Sequence, residues 1–451
     1  MHLRSVTVYP TPMCSIDCVF CPLTKIPYLS VMDKDFKESF KDREYYKRML
    51  LDIGWENIKD IERMEFWGGE PTLKLHRTYN VVRDYINILP KLNKFFFSTN
   101  FEHSKVPEEI EGLVDVLGEF PDRKFLIQIQ LSIDGPPEVT DRSRGKNVTE
   151  HFLRNYKILM DKKWFCEKYE NVDIRIVYKP TLDMETIKWF DDTDYMISYY
   201  KWFEENLYDS AVELQKSTKK FRAAIKAKPN IATPLEATKE DGIWFANMQK
   251  RALEVSMHNP FKYYDNIVMY TRAGRKPNRN RVLFCGAGRS MVEILPKHKY
   301  CACHRAFLTY CDEYRQIANK YDITMKSIDH RSFDYSNPIM IFNTAQEFID
   351  FCERTELPTT SSSTFLVEQG IVRYLAKLGQ IDSKYENPIE AYKAVNLMGE
   401  HAAECIYDCL TVCGTQMAQV SSLYRLWLNG AVDVVNVASE RLDLIEKIDR
   451  M

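Results

Sequence analysis

Apolar and polar residues alternate along residues 3–9, the period of a strand with one buried face, and residues 35–53 then turn charged with apolar positions at helical intervals. The pair repeats. Residues 61–67 read as a second strand running into Gly68-Gly69-Glu70-Pro71, and residues 72–89 as a second helix. A short apolar strand at residues 95–97 ends in Ser98-Thr99-Asn100, and the region up to Leu117 fits a third helix. Residues 125–133 give the fourth strand, followed by Asp134-Gly135-Pro136-Pro137 and a helix from about Thr149. Residues 172–177, ending in Tyr178-Lys179-Pro180, supply the fifth. Strands alternating with helices of this length predict an α/β protein with a parallel sheet curved toward a barrel. Functional loops in such folds gather at the carboxyl ends of the strands.

Beyond residue 181 the pattern changes. Residues 189–208 are crowded with aromatics and acids, residues 216–228 are basic, and residues 243–255 look amphipathic and helical. This stretch predicts a helical insertion or bridge covering the barrel mouth, or else a solvated helical face with no substrate role. Residues 361–451 carry apolar positions at helical spacing, broken near Asn387-Pro388 and Asn429-Gly430, and predict a helical cap. There is no internal repeat and no low-complexity tract.

Composition narrows the class. A chain of 451 residues, 45% hydrophobic and 28% charged, can bury a sizeable core in more than one domain. No apolar run approaches the roughly 18 residues a membrane helix needs. The start, MHLRSVTVYP, lacks the design of a signal peptide, so a cytoplasmic location is expected. Sixty-two basic against 64 acidic side chains offer no global pull toward nucleic acid. The 12 cysteines therefore point to metal or redox use more than to a disulfide framework, and imply oxygen sensitivity.

Three of them dominate. Residues 9–23, YPTPMCSIDCVFCPL, space Cys14, Cys18 and Cys21 as C-x3-C-x2-C. Three thiolates can hold three corners of a metal site, whereas closed zinc sites and all-protein iron–sulfur clusters use four ligands. A [4Fe–4S] cluster held this way keeps one iron open for a non-protein ligand. Buried apolar thiols are the plainer alternative, but steps of four and three beside Pro10 and Pro12 suit a loop leaving a strand. The pair Gly68-Gly69 fits any tight turn, and also lets backbone approach a ligand closely, with Glu70 able to accept from an ammonium group.

C-x3-C-x2-C with Phe20 before the last cysteine resembles the signature of the radical S-adenosylmethionine (radical SAM) superfamily. The resemblance implies that Cys14, Cys18 and Cys21 hold a [4Fe–4S] cluster, that its open iron chelates the amino and carboxylate groups of SAM, and that Phe20 packs near the adenine. Gly68, Gly69, Glu70 and Pro71 match the family's GGE-P motif, which binds the methionyl amino group. Ser132-Ile133-Asp134-Gly135 followed by Arg144 resembles the fourth-strand segment of the subfamily that includes anaerobic sulfatase-maturating enzymes. There the serine contacts the SAM ribose region and the arginine pairs with its carboxylate. Asn100 sits where the family often has Thr-Asn-Gly, with Phe101 replacing the glycine.

Residues 284–307 resemble the start of a SPASM or twitch extension, a module holding auxiliary [4Fe–4S] clusters, with Cys285 and Cys303 as paired ligands, Cys301 and Cys311 as further candidates, and the hairpin-tip glycine replaced near His298. Cys405, Cys409 and Cys413 are spaced C-x3-C-x3-C, four and eight apart on one helical face, where they converge on a cluster or pack a core. One auxiliary cluster is expected, completed by Cys409 and Cys413 with Cys405 as alternate. Cys166 and Cys352 read as ordinary buried thiols. The run Cys301-x-Cys303-His304 is one residue short of a haem attachment pattern, so haem is not expected.

The expected architecture is a partial (β/α)6 radical SAM barrel over residues 1–182, a helical insertion or bridge over 183–262, a twitch- or SPASM-like auxiliary-cluster region over 263–345 and a helical cap over 346–451. The resemblance implies reductive cleavage of SAM to a 5′-deoxyadenosyl radical that abstracts a substrate hydrogen, with flavodoxin or ferredoxin as electron donor. Enzymes with such extensions usually modify peptides, so a peptide or protein substrate leads, predicting an open groove lined by residues 189–208. A small molecule, sugar or nucleotide, including a nucleobase, predicts a closed pocket. A non-enzymatic iron–sulfur or zinc protein is the competing class, and it leaves Glu70 and Arg144 unexplained. The sequence assigns no catalytic acid, base or radical relay.

Overall fold

The computed structural model describes residues 2–21, 23, 26–161, 167–218, 221–225, 230–232, 290–302, 306–320 and 341–355. Strand β1 (Ser5–Thr11) leads into the cysteine loop, and is followed by α1 (Leu29–Lys41) and α2 (Tyr45–Asp52). The helical pattern over residues 35–53 is thus split in two. Asp42 accepts the Glu44 amide at 3.1 Å and pairs with Arg48, a local turn that competes with helical bonding. After α3 (Trp55–Ile58) and β2 (Arg63–Gly68), two 3-10 turns, Pro71–Leu73 and Leu75–Thr78, precede α4 (Tyr79–Ile88). Pro71 lacks an amide donor and the Glu70 carboxylate accepts Thr72 N at 3.0 Å, which fixes a tight turn where the pattern read continuous helix.

Strand β3 (Lys94–Thr99), α5 (Val106–Gly118) and β4 (Phe125–Leu131) follow as expected. Helix α6 (Pro137–Arg144), PEVTDRSR, has too little apolar periodicity to read in advance, and begins on a proline at its first position. Then come α7 (Val148–Asp161), β5 (Val172–Tyr178), β6 (Thr181–Asp183), α8 (Met184–Lys188), α9 (Thr193–Phe203), α10 (Asp209–Thr218), β7 (Phe221–Ile225) and β8 (Asn230–Ala232). The last described elements are β9 (Met291–Leu295), β10 (Lys299–Cys301), α11 (Asp312–Lys320), β11 (Ile341–Phe342) and α12 (Ala345–Thr355).

Nine strands share one sheet in the order β11-β10-β9-β1-β2-β3-β4-β5-β7, while β6 and β8 pair separately in parallel. From β9 to β7 every neighbour is parallel, which matches the expected incomplete barrel through six strands, β1 to β5 and β7, with one further strand beside β1. The barrel passes the boundary expected at residue 182. Ile174 lies opposite Phe221 and Tyr178 opposite Ile225, so α8 to α10 form the crossover between β5 and β7 rather than an insertion. Of the aromatics expected to line a groove, Phe190, Tyr199, Tyr200 and Phe203 pack the core, with Phe190 and Tyr199 rings 4.8 Å apart. Trp189, Tyr195, Trp202 and Tyr208 stay partly exposed at its margin. Residues 243–255 and 356–451, including most of the expected helical cap, lie outside the described residues.

Period-two alternation gives the sheet two unlike faces. Val6, Val8, Met64, Phe66, Phe95, Phe97, Ile127, Ile129, Ile174 and Ile176 are buried in one apolar layer against the helices. The other face carries Thr7 opposite Glu65 and Glu293, and Gln128 opposite Arg175, with Ser98 opposite Gln130 nearer the carboxyl ends. Phe96 sits in register between Glu65 and Gln128 on this second face, so it is mixed rather than wholly polar.

At the far edge, β9 and β10 form a hairpin whose tip places Lys297 and His298 at φ 56° and 55°. The left-handed region costs a non-glycine residue roughly 1–2 kcal/mol. Tyr45 offsets it by accepting His298 N at 2.8 Å and donating to Leu295 O at 2.7 Å.

Candidate active site

The cysteine loop is anchored at its root. Thr11 Oγ1 donates to Asp33 at 2.6 Å and accepts Met13 N at 3.1 Å, while Arg77 pairs with Asp33 at 2.8 Å and reaches Pro10 O at 3.1 Å. Burial pushes the Asp33 carboxyl up, but the Arg77 and Thr11 hydrogen bonds outweigh it and hold the group below its usual range. Further along, Val19 N donates to Ser143 O and Cys21 N to Cys18 O, both at 2.9 Å. Cys18 is buried, and Cys14 and Cys21 are half-buried.

Gly68 and Gly69 lie against this loop. A Cβ on Gly68, at φ +135°, would stand 2.1 Å from Thr11 O, and one on Gly69 would stand 2.2 Å from Met13 O. The close approach that glycine permits is therefore to the chain's own backbone. Gly69 N donates to Thr11 O at 3.2 Å and Glu70 N to Met13 O at 2.7 Å, so the GGE-P turn sets the height of the cysteines. The Glu70 side chain is 1% exposed and accepts Thr72 Oγ1 at 2.6 Å and Asn100 N at 2.6 Å. Burial raises its carboxyl above the usual range even so.

Asn100 stands on the same side. Its Nδ2 lies 3.6 Å from Cys14 Sγ and 3.3 Å from Ser15 Oγ, and its Oδ1 accepts Glu102 N at 3.0 Å. The glycine missing from the Thr-Asn-Gly pattern is not needed for this turn, because Phe101 itself adopts φ 58°. Its ring is fully buried 5.6 Å from Phe152, and Asn155 Nδ2 donates to the carbonyls of Phe101, Glu102 and His103 at 2.9, 3.1 and 3.0 Å. Burying an aromatic side chain contributes about 1.5–3 kcal/mol, which offsets the backbone strain.

Across the loop, Arg144 pairs with Asp134 through two parallel bonds, Nε to Oδ2 at 2.8 Å and Nη2 to Oδ1 at 2.7 Å. Its Nη1 lies 3.8 Å from Cys18 Sγ and its guanidinium 5.3 Å from the Phe20 ring centre. Burial works against the cation, but Asp134 and then Cys18 keep it charged. Asp134 also accepts Ser143 Oγ at 2.7 Å and Thr181 N at 2.8 Å, and its carbonyl accepts Tyr199 OH at 2.6 Å. Ser132 stands apart from this pair. Its Oγ lies 3.1 Å from Ser98 Oγ, which Gln130 Nε2 reaches at 2.9 Å.

The structure thus brings Cys14, Glu70 and Asn100 together on one side and Cys18, Phe20, Asp134 and Arg144 on the other, and leaves Ser132 with the lumen polar row. Ser143, Thr72, Ser98, Gln130 and Tyr199 were missed in the sequence. Only Ser98 and Gln130 left a signal there, as polar residues in phase on neighbouring strands. Burial outweighs the Arg144 cation beside Cys18 and pushes that thiol up to about 11, and it pushes Cys14 higher still.

Among the auxiliary candidates, Cys285, Cys303, Cys405, Cys409 and Cys413 lie outside the described residues, as does Cys166. Cys301 is fully buried on β10 opposite Glu293, with which its thiol hydrogen-bonds. Cys311 is half-buried, 3.8 Å from Lys297 Nζ, and Cys352 is a buried thiol as expected. Glu293 also accepts Tyr9 OH, joining β9 to β1 beneath the cysteine loop.

Residues 8–191 match the model of the radical SAM superfamily. No curated protein matches the chain. Similar solved structures include native anSMEcpe with bound AdoMet, an anaerobic sulfatase-maturating enzyme, at 15% identity over 97% of this chain and 99% of that one, TM-score 0.42. A hexahistidine-tagged form with AdoMet gives 13% identity over 99% and 98%, TM-score 0.43, and a form with AdoMet and a peptide gives 14% over 97% and 100%, TM-score 0.42. At these scores the likenesses carry no structural argument. The family match and the cysteine triplet at the carboxyl end of β1 do: residues 8–191 of the chain form a radical SAM domain.

Proposed function

We propose that Cys14, Cys18 and Cys21 hold a [4Fe–4S] cluster with one iron left for SAM, and that the chain abstracts a hydrogen atom from its substrate. When bound, the cluster and SAM supply a 5′-deoxyadenosyl radical by one-electron reductive cleavage, with a flavodoxin or ferredoxin as electron donor. The observation that carries the reading is the donor geometry. Two of the three thiols, half-buried Cys14 and buried Cys18, face side-chain N–H groups of Asn100 and Arg144 respectively. N–H groups suit thiolate acceptors, and iron deprotonates coordinating thiols outright. Gly68, Gly69, Glu70 and Pro71 fix the loop height, and Asn100, Asp134, Arg144, Phe20 and Ser132 border the space beside it in which SAM is proposed to sit.

The chain's own residues have three tasks. Asp33 and Arg77 hold the loop root, the Asp134–Arg144 pair holds its far side, and the Ser98–Gln130–Ser132 row orients the substrate in the lumen. Anaerobic reconstitution followed by assay for 5′-deoxyadenosine with SAM and dithionite tests the reading. Product from the wild type supports it; an intact cluster that neither binds nor cleaves SAM overturns it.

A peptide is the first substrate class, supported by the resemblance of residues 284–307 to a SPASM or twitch opening and by the single auxiliary cluster proposed there for Cys285, Cys303, Cys409 and Cys413. A small polar molecule or nucleotide is the second, supported by the polar side chains on one sheet face and by the burial of Phe190, Tyr199, Tyr200 and Phe203 in the core. Mass spectrometry of candidate substrates decides between them: a mass change confined to small molecules removes the peptide reading. No helix among the described residues is long and apolar enough to cross a membrane, and a cytoplasmic site of action is proposed.

A further inference from the structure

The two donors that face the cluster cysteines are held rigidly, each by a different device. Asn100 is 5% exposed, and its Oδ1 is occupied by the Glu102 amide at 3.0 Å. That bond fixes the orientation of the amide, so Nδ2 and not Oδ1 must face Cys14 Sγ at 3.6 Å. Arg144 has Nε and Nη2 fastened to Asp134, which leaves Nη1 as the nitrogen directed at Cys18 Sγ, 3.8 Å away. Asp134 is itself pinned by Ser143 Oγ and Thr181 N, so neither donor can turn away without breaking buried bonds.

From this geometry we infer that Asn100 and Arg144 are positioning residues that set the reduction potential of the cluster held by Cys14, Cys18 and Cys21. The inference rests on the radical SAM reading above. Reduction adds one electron to the cluster, breaks no bond and moves no proton, and raises the negative charge on the thiolate sulfurs. Hydrogen bonds to those sulfurs strengthen as that charge grows, so a fixed donor favours the reduced form and raises the potential. Because both donors are already in place, no reorganisation accompanies the electron. Asp134 offsets part of the charge of Arg144, so the pair presents Cys18 with an aimed N–H from a cation.

The test is an EPR-monitored redox titration of the full chain, reconstituted with iron and sulfide and measured without SAM, so that any contact Asn100 makes to SAM cannot enter. The signal belonging to this cluster is identified afterwards as the one that SAM perturbs. Asn100→Leu keeps the volume and removes the donor. Its midpoint should fall by about 59 mV, a tenfold loss of reduced cluster at a given potential for a one-electron couple. Asn100→Asp keeps both the shape and the Glu102 bond, replaces the donor with an acceptor, and should fall at least as far; it decides the matter if the leucine variant does not fold. An unchanged midpoint with a full iron complement in the folded variants overturns the inference. A wild-type signal that SAM does not perturb overturns instead the reading beneath it, and the inference with it.

Discussion

Cys18 and Cys301 are both buried, at 7% and 0% exposure, yet their surroundings are chemically unlike. Cys18 leaves the carboxyl end of β1 in a loop and faces the N–H of Arg144, whereas the Cys301 thiol faces the carboxyl of Glu293 on the neighbouring strand. Burial does not separate a ligand from a core thiol. The polarity of the neighbour does: an N–H donor suits a sulfur proposed as a metal ligand, whereas a carboxyl gives a thiol an acceptor for its S–H.

The comparison breaks most visibly at the triplet. Changing Cys14, Cys18 and Cys21 together to alanine should remove this cluster's iron and take 5′-deoxyadenosine formation to background. Iron retained by that variant reports an auxiliary cluster, whereas undiminished SAM cleavage would contradict the assignment. Next in size is Asp134→Ala, which strands the Arg144 cation beside Cys18 in a site with side chains 6% and 0% exposed. Removing one partner of a buried pair costs about 3–5 kcal/mol, readable as a lower urea midpoint. A loss below about 1 kcal/mol would show that the pair is not a structural clamp.

The pH dependence sharpens the same contrast. Burial raises the Cys18 thiol to about 11 and Cys14 further, so iron must displace protons from both across the neutral range. Resistance of the cluster to a chelator should therefore increase as pH rises from 6.5 to 8.5, by up to about tenfold per unit for each proton displaced. A flat profile would place the thiols already ionised. The smallest effect belongs to Cys352→Ala, with a stability loss of about 1 kcal/mol and an unchanged iron content. Iron loss there would move Cys352 out of the core class.

The strands were legible because their period is local: residues 3–9, 61–67, 125–133 and 172–177 each fall within a residue or two of a strand in the structure. The cysteine triplet and the GGE-P turn were legible because their residues are close in sequence. The sulfur donors were not readable as such, since Asn100 and Cys14 are 86 residues apart and Arg144 and Cys18 are 126 apart, and no periodicity encodes their meeting. Phe101 shows a different limit. A pattern that expects glycine cannot anticipate that a buried ring and the Asn155 amide hold the same backbone without one. The aromatics of residues 189–208 divide between core and margin, because composition does not say which face of a crossover helix meets the sheet.

Pairing of β1 with β9 also fixes an order of events during synthesis. Tyr9 meets Glu293 across 284 residues of chain, so at about 5–20 residues per second the ribosome needs roughly 15–60 s between making one and the other. Throughout that interval β1, which bears the cysteine loop, has its partner β2 on one side and an open hydrogen-bonding edge on the other. The nascent barrel therefore presents an unpaired strand beside three unligated thiols, and oxygen or a foreign strand can reach both before β9 arrives.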